Sequence, residues 1–164
     1  MSFGTGHHET TYLCMRELLD MESLVSLEFL DYGCGTGILS ILAEKLKAKH
    51  IDAIDIDFRT IKNSLENIKI NNCKKINLIQ GDVSQLNKKK YDIIVCNLEK
   101  NIIINYIEKF TKLLKTRGIL ILSGYLRQDF LEIKNCCEKN NLILQNKKIK
   151  NDWILTKFMD NGIS

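Results

Sequence analysis

The sequence has no proline among its 164 residues and no long apolar run. The lack of proline accompanies an abundance of isoleucine, lysine and asparagine, a bias that is typical of nucleotide-composition drift rather than of a function. No apolar run approaches the roughly 20 residues that a membrane-spanning helix needs, and the amino-terminal segment has neither the basic region nor the apolar core of a secretion signal. These absences exclude membrane-spanning and secreted classes, so we expect a cytoplasmic protein.

The six cysteines lack the spacing of a metal site or of a disulfide framework. The sequence contains no C-x-x-C pair, and no cysteine has metal-ligand spacing with His7, His8 or His50. Cys136 and Cys137 are adjacent within a helical pattern, where they face different directions. We therefore expect reduced thiols and no bound metal.

Basic residues exceed acidic residues by only a small margin, 24 against 20, and most of them are scattered lysines. Two lysine-rich runs, Lys88–Lys90 and Lys147–Lys150, are interpreted as solvated loops, the usual setting of such runs. Because no aromatic residues alternate with these lysines, they do not predict stacking on single-stranded bases. No direct nucleic-acid binding is expected.

The length and the apolar pattern predict a single domain over residues 1–164. Strand-like runs alternate with segments of helical periodicity, and neither a repeat nor a linker interrupts them. The pattern predicts an α/β, doubly wound fold with a mostly parallel seven-stranded sheet and a carboxyl-terminal antiparallel hairpin. The predicted strands cover 27–32, 51–56, 76–80, 91–97, 118–123, 142–145 and 153–158. The first predicted helix is capped by Thr10 and Thr11, and the others cover 38–47, 58–71, 102–114 and 130–137.

A glycine-rich loop joins the first predicted strand to the following helix. Its sequence, Asp31-Tyr-Gly-Cys-Gly-Thr-Gly37, has glycine at alternate positions, so the backbone can turn sharply and lie against a ligand. The G-x-G-x-G spacing differs from the G-x-G-x-x-G of dinucleotide-binding loops, which disfavours an NAD-dependent oxidoreductase. A nucleoside that carries an amino acid fits better, with Gly33 and Gly35 as contacts, although a tight turn without a ligand gives the same pattern.

Acidic and amide side chains follow three later strands. Asp55 ends the second strand about 20 residues beyond the glycines, where a carboxylate can accept hydrogen bonds from ribose hydroxyls, while Asp57 resembles the N-cap of the next helix. Asp82 follows the third strand and either contacts an adenine amine or serves as a turn residue. Asn97 ends the fourth strand and either orients an amine and holds the cofactor or serves as a turn residue. His7 and His8 are expected to have a structural or gating role, with a general base as the alternative, since histidine titrates near neutral pH.

Several segments occur in the order and spacing of the PrmA family, which this chain resembles over nearly its whole length. They are Phe3-Gly-Thr-Gly-His-His-Glu-Thr-Thr11, the glycine loop through Leu39, Ile54-Asp-Ile-Asp57, Val95-Cys-Asn-Leu98, Ser123-Gly124 and Asn151-Asp-Trp153. The family consists of class I, Rossmann-like methyltransferases that use S-adenosylmethionine to modify ribosomal protein L11 of the large subunit. The segment before the glycine loop is the most specific part of the resemblance.

The resemblance implies a function and a set of contacts. Thr11, Gly33, Asp55 and Asn97 correspond to cofactor contacts, and Thr5 corresponds to a mobile loop that closes over the site. The family methylates lysine side-chain amines and an N-terminal amine. We therefore predict an S-adenosylmethionine-dependent protein N-methyltransferase whose partner is the ribosomal protein, with Asn97 orienting the amine.

The sequence departs from the family in two places and leaves alternatives open. Glu9 stands where the family usually has proline, and the family's separate amino-terminal recognition domain is not found ahead of Phe3. No Pro-Pro-aromatic motif follows Asn97, so an aliphatic amine is favoured over adenine or a glutamine amide as the acceptor. The alternatives are a methyltransferase that acts on RNA or a small molecule, and a non-catalytic relic that only binds the cofactor.

Overall fold

A computed structural model describes residues 8–86 and 89–163 of the chain. Thr5, His7 and Lys88 lie outside these residues. The helices are α1 (Glu9–Asp20), α2 (Ile38–Lys45), α3 (Phe58–Ile70), α4 (Lys100–Leu113) and α5 (Phe130–Lys139). The strands are β1 (Glu28–Tyr32), β2 (His50–Asp55), β3 (Ile76–Gln80), β4 (Tyr91–Asn97), β5 (Leu114–Leu126), β6 (Leu142–Lys150) and β7 (Trp153–Asp160). Short 3-10 turns cover Val83–Leu86 and Arg127–Asp129.

The strands form one seven-stranded sheet in the order β3-β2-β1-β4-β5-β7-β6. The first five strands pair in parallel, whereas β7 runs antiparallel to both β5 and β6. This arrangement confirms the predicted doubly wound sheet with an antiparallel hairpin at its end. The order reverses between β1 and β4, so the loops after these two strands lie side by side, where such folds bind ligands.

Apolar side chains pack on both faces of the sheet. On one face, α1 and α2 cover a core that includes Leu18, Phe29 and Leu155, and α3 packs beside α2 over β2 and β3. On the other face, α4 and α5 cover a core that includes Phe110 and Phe158. Within the described residues, no helix has both the length and the apolar character that crossing a membrane requires.

Residues other than glycine end several helices in the left-handed conformation. Lys47 follows α2 with φ +70°, Asn72 follows α3 with φ +55°, and Asn141 follows α5 with φ +62°. Asparagine tolerates this region because its short polar side chain can hydrogen-bond locally. These three helices thus end without proline or glycine. Three of the glycines with positive φ, Gly33, Gly35 and Gly37, lie together in the loop after β1.

Several element boundaries differ from the predictions, and three of the differences have a clear physical reason or a large extent. The N-cap of α1 is His8, whose Nδ1 accepts a hydrogen bond from the backbone N–H of Thr10 at 3.3 Å, so Thr10 and Thr11 lie inside the helix. Strand β5 begins at Leu114, earlier than predicted. Strand β6 extends to Lys150, because an edge strand can pair with β7 through its backbone while its polar side chains remain accessible to solvent.

The interpretation of Lys147–Lys150 as a solvated loop was wrong, whereas Lys89 and Lys90, the described part of the other run, lie in an exposed loop as predicted. Lys147–Lys150 belongs to β6, and Lys148 forms ion pairs with two carboxylates of α1. The ammonium group of Lys89 contacts both oxygens of Asp52, at 2.8 and 3.0 Å. Asp52 is fully buried in β2 and also accepts a hydrogen bond from the Tyr91 hydroxyl at 2.6 Å, so the lysine neutralises a carboxylate that would otherwise be costly to bury.

Candidate functional site

The glycine loop follows β1 and packs against the end of β2. The backbone N–H groups of Gly33 and Cys34 both donate to the carbonyl oxygen of Ile54, at 2.8 and 3.0 Å. Gly33 has φ +73°, a conformation that a residue with a Cβ adopts only with strain. A Cβ on Gly33 would also lie 2.7 Å from Cδ1 of Leu98 in the neighbouring loop. The glycine therefore lets the loops after β1 and β4 approach each other closely.

Asp55 lies directly against this loop. Its Oδ2 accepts a hydrogen bond from the backbone N–H of Gly35 at 3.1 Å, and its Oδ1 accepts one from the backbone N–H of Asp57 at 3.0 Å. Asp57 itself caps α3 by accepting from the N–H of Arg59 at 2.8 Å, as the sequence predicted. The carboxylate at the end of β2 and the glycine loop are thus parts of one site.

Thr11 and Asn97 meet on the other side of Gly33. The Nδ2 of Asn97 donates to Oγ1 of Thr11 at 3.4 Å, and both residues are buried. The Oδ1 of Asn97 is also buried, but it has no hydrogen-bond partner among the described residues. A buried acceptor without a donor is costly unless a ligand supplies one, so this oxygen is available to a bound group.

Two adjoining cavities share Gly33. The larger has a volume of about 240 Å³ and is mainly apolar, lined by Tyr32, Gly33, Ile54, Asp55, Ile56, Gly81, Leu98, Ile102 and Tyr106. The smaller has a volume of about 20 Å³ and has Thr11, Asp31 and Asn97 in its wall, with Gly33, Cys34, Gly35, Ile38 and Leu39. One ligand with an apolar part and a polar part would fill both cavities and pass over Gly33.

Asp31 adds a carboxyl group that was not among the predicted site residues. Its Oδ2 accepts hydrogen bonds from the backbone N–H and the hydroxyl of Ser40, at 3.1 and 2.6 Å. Burial, with a smaller contribution from the charge of Asp55, raises the pKa of Asp31 to about 6, although the hydrogen bonds from Ser40 oppose this increase. A cationic ligand group in the smaller cavity would therefore find a carboxylate in its wall.

Asp82 lies at the edge of the site. Its Oδ1 accepts a hydrogen bond from the backbone N–H of Ser84 at 2.9 Å, and the side chain and this N–H of Ser84 together lower the pKa of the carboxyl group. The preceding residue, Gly81, lines the larger cavity, whereas Asp82 is not in its wall. The predicted contact between Asp82 and an adenine amine stays a prediction.

Part of the cavity wall had no signal in the sequence. Ile102 and Tyr106 occupy one side of the amphipathic helix α4, where apolar and aromatic residues normally pack in a core. Ile56 is 78% exposed at the cavity although it continues an apolar strand pattern. Asp31 had a recognisable position, since it is the next-to-last residue of β1 and lies two residues before Gly33.

The chain matches known proteins over nearly its whole length. The family model described as ribosomal protein L11 methyltransferase (PrmA) matches residues 1–160. Two curated relatives are ribosomal protein L11 methyltransferases of Porphyromonas gingivalis, 42% identical over 159 residues, and of Bacteroides thetaiotaomicron, 43% identical over 159 residues. Each alignment covers 96% of this chain but only 54% and 56% of the relatives. The chain thus spans about half the length of the curated relatives that it matches.

Solved structures show the same fold. The crystal structure of ribosomal protein L11 methylase from Lactobacillus delbrueckii subsp. bulgaricus is 29% identical and superposes with a TM-score of 0.87, over 93% of this chain and 79% of that chain. SMU.776, a methyltransferase complexed with SAH, has a TM-score of 0.78 at 16% identity, over 94% of this chain and 50% of that chain, and shares the fold. The matched family model and the relatives above 40% identity show that this chain belongs to the ribosomal protein L11 methyltransferase (PrmA) family.

Proposed function

We propose that the chain binds S-adenosylmethionine across the two cavities. The larger cavity is apolar and carries Asp55 in its wall, a combination that suits a nucleoside with a base to bury and ribose hydroxyls that donate hydrogen bonds. The smaller cavity has three polar side chains in its wall, those of Thr11, Asp31 and Asn97, which suit an amino-acid group. The sulfonium between these two parts would then lie near Gly33, whose lack of a side chain keeps the passage open. The SAH complex of the fold neighbour SMU.776 supports a ligand of this class.

The polar side chains of the smaller cavity fit the amino-acid end. Asp31 would face its cationic amine, and Thr11 would supply a hydroxyl group. The single observation that carries the proposal is the buried Oδ1 of Asn97, which lacks a donor among the described residues and lies at this cavity. An amine that carries N–H groups satisfies this oxygen, whether it belongs to the cofactor or to the acceptor.

The acceptor that fits the site best is an aliphatic amine. S-adenosylmethionine, when bound, supplies an electrophilic methyl group on its sulfonium. Asn97 would accept a hydrogen bond from the acceptor amine and so orient the nitrogen lone pair along the line of attack. Leu98, the residue after Asn97, provides an apolar wall instead of the flat aromatic surface on which a planar acceptor would stack. Orientation and the exclusion of water would supply most of the rate enhancement.

The acceptor amine must lose a proton before it can attack. An ammonium group that enters a partly dry site loses hydration, which lowers its pKa and favours release of the proton to solvent. The walls formed by Leu98 and Ile102 provide such surroundings. After this loss the neutral amine still carries N–H protons, so one of them can donate to Oδ1 of Asn97 while the freed lone pair faces the methyl group.

The relatives' name points to the acceptor. We propose that the chain is the methyltransferase domain, a single unit over residues 1–164, of an enzyme that methylates lysine and N-terminal amines of ribosomal protein L11 in the cytoplasm. The 42% and 43% identity to proteins named ribosomal protein L11 methyltransferase supports this substrate. The part of those relatives that the chain does not match would supply recognition of the ribosomal protein.

The test uses methyl-labelled S-adenosylmethionine and isolated ribosomal protein L11. Label is measured on the ribosomal protein after incubation with the chain alone and with the chain fused to the amino-terminal part of a relative. We expect transfer by the fusion and slower transfer by the chain alone. Transfer to ribosomal RNA instead of protein would identify an RNA methyltransferase, and binding of the cofactor without transfer by either form would identify a non-catalytic relic.

A further inference from the structure

The turn between β6 and β7 lies against the amino-terminal end of α1. The Nδ2 of Asn151 donates to Oε1 of Glu9 at 3.3 Å, a contact between residues 142 positions apart in the chain. The indole ring of Trp153 meets the imidazole ring of His8 edge-on, with 5.0 Å between the ring centroids and 68° between the planes. Such edge-on geometry is favourable for aromatic pairs. The first turn of α1 is therefore held from outside by the hairpin.

The same hairpin holds α1 further along its length. Glu17 is 1% exposed, and its two carboxylate oxygens lie 2.6 Å from the ammonium groups of Lys148 in β6 and Lys157 in β7. Because a buried carboxylate depends on such partners, these contacts resist sliding of α1 over the strands. The body of α1 is thus fixed independently of its first turn.

The first turn of α1 carries one residue of the candidate site. His8 caps the helix through its Nδ1, and Thr11 follows three residues later, fully buried against Asn97. The Thr11–Asn97 contact is long, 3.4 Å between Oγ1 and Nδ2, so a small displacement of the first turn would break it. The position of His8 therefore determines whether Thr11 faces the smaller cavity correctly.

We propose that Trp153 is a positioning residue of the cofactor site, because its ring fixes the His8 cap and thereby holds Thr11 against Asn97. The inference rests on the proposed function, since the site that Trp153 supports is the one assigned to S-adenosylmethionine. Trp153 acts through α1 and lies outside the walls of both cavities. It gives a role to the Asn151-Asp-Trp153 segment, which the cofactor contacts do not explain.

Trp153 also packs against the core under α1, so loss of its ring will lower the stability of the protein as well. A control must therefore destabilise the same hairpin without disturbing His8. Phe158 in β7 meets this requirement, since it is fully buried in the core on the opposite face of the sheet. Trp153→Leu removes the aromatic contact, Trp153→Phe retains an aromatic edge, and Phe158→Leu supplies the control.

Calorimetric titration with S-adenosylhomocysteine measures the effect on binding. We expect Trp153→Leu to raise the Kd about five- to tenfold, the loss of one ordinary polar contact, and Trp153→Phe to restore most of the affinity. Phe158→Leu should lower the melting temperature and leave the Kd unchanged. Thr11→Val should raise the Kd, and adding Trp153→Leu to it should cause little further loss, because both changes remove the same contact.

An additive effect of Trp153→Leu and Thr11→Val, or a wild-type Kd in Trp153→Leu, would overturn the proposal. Hydrogen exchange of α1 without ligand tests the positioning separately from the proposed function. Faster exchange of the amides at 9–12 in Trp153→Leu, but not in Phe158→Leu, supports the proposal. Unchanged exchange overturns it, even if the chain binds the nucleoside. Absence of nucleoside binding by the wild-type chain would instead contradict the proposed function.

Discussion

The carboxylate of Asp55 and the backbone N–H of Gly35 are joined by a 3.1 Å hydrogen bond that ties the end of β2 to the loop after β1. The other oxygen of Asp55 accepts from the backbone of Asp57 at 3.0 Å. A carboxylate offers about four acceptor positions, so two remain for the hydroxyls of a ribose. One side chain thus holds the loop in place and presents acceptors to the cavity that the loop borders.

Replacement of Asp55 should weaken nucleoside binding. We expect Asp55→Ala to raise the Kd for S-adenosylhomocysteine at least about tenfold, because hydrogen bonds to a charged group contribute about 1.5–3 kcal/mol. Asp57→Ala is the matched control, since it removes the cap of α3 and costs about 1 kcal/mol of stability at a site two residues away. Calorimetry and thermal unfolding of both variants check this prediction, and equal losses of affinity would contradict it.

Gly33 should tolerate a methyl group less well than Gly37. Both have positive φ, but a Cβ on Gly37 would meet Ser64 at an ordinary 3.5 Å, whereas one on Gly33 would lie 2.7 Å from Leu98. We expect Gly37→Ala to lower the free energy of unfolding by about 1–2 kcal/mol, from backbone strain alone. Gly33→Ala should lower it by more and should also abolish nucleoside binding. Adding Leu98→Ala to Gly33→Ala should recover part of the stability in denaturant unfolding. If stability does not recover, the contact with Leu98 is not the cause of the destabilisation in Gly33→Ala.

Asn97 should affect turnover more than cofactor affinity. We expect Asn97→Ala to lower kcat by well over about tenfold, because Asn97 orients the acceptor amine, while the Kd for S-adenosylmethionine rises only about five- to tenfold through loss of the contact with Thr11. The free energy of unfolding should change by less than about 1 kcal/mol, since the substitution removes a buried acceptor that has no partner. Steady-state kinetics, calorimetry and thermal unfolding measure the three quantities. Equal losses of kcat and affinity would assign Asn97 to binding alone.

The buried carboxyl group of Asp31 should give the stability a defined pH dependence. Burial raises its pKa from the ordinary 3.8 to about 6, so between these values the folded protein binds more protons at this group than the unfolded chain does. The contribution of Asp31 to the free energy of unfolding therefore falls as the pH rises from about 4 to 6, by up to about 3 kcal/mol. Asp31→Asn removes this pH-dependent contribution. The free energy of unfolding of the variant, relative to that of the wild type, should therefore rise between about pH 4 and 6. A difference between the two proteins that stays constant over this interval would contradict the raised pKa of Asp31.

The positions of residues at strand ends could be predicted from the sequence, because the fold determines where the strand ends lie. Once strands and helices alternate, the carboxyl ends of parallel strands meet at one edge, so Gly33, Asp55 and Asn97 could be grouped without a structure. The three are indeed brought together around two adjoining cavities. Their contacts with a cofactor stay predictions.

Other features depended on partners that are distant in the sequence. The periodicity of α4 does not reveal that Tyr106 faces a cavity, since an aromatic residue in a helix has the same pattern when it packs in a core. Lys148 looks like part of a solvated run until Glu17 of α1 is found beside it. The N-cap of α1 is His8. The sequence predicted Thr10 and Thr11 instead, because threonine is a common N-cap residue and histidine is not.

Calorimetric titration of the unmodified chain with S-adenosylmethionine and S-adenosylhomocysteine measures whether the two cavities bind the nucleoside. We expect one site per chain with a Kd in the micromolar range for both nucleosides, and clearly weaker binding in Asp55→Ala. Absence of binding at millimolar concentrations, or equal binding by the wild type and Asp55→Ala, would contradict this expectation.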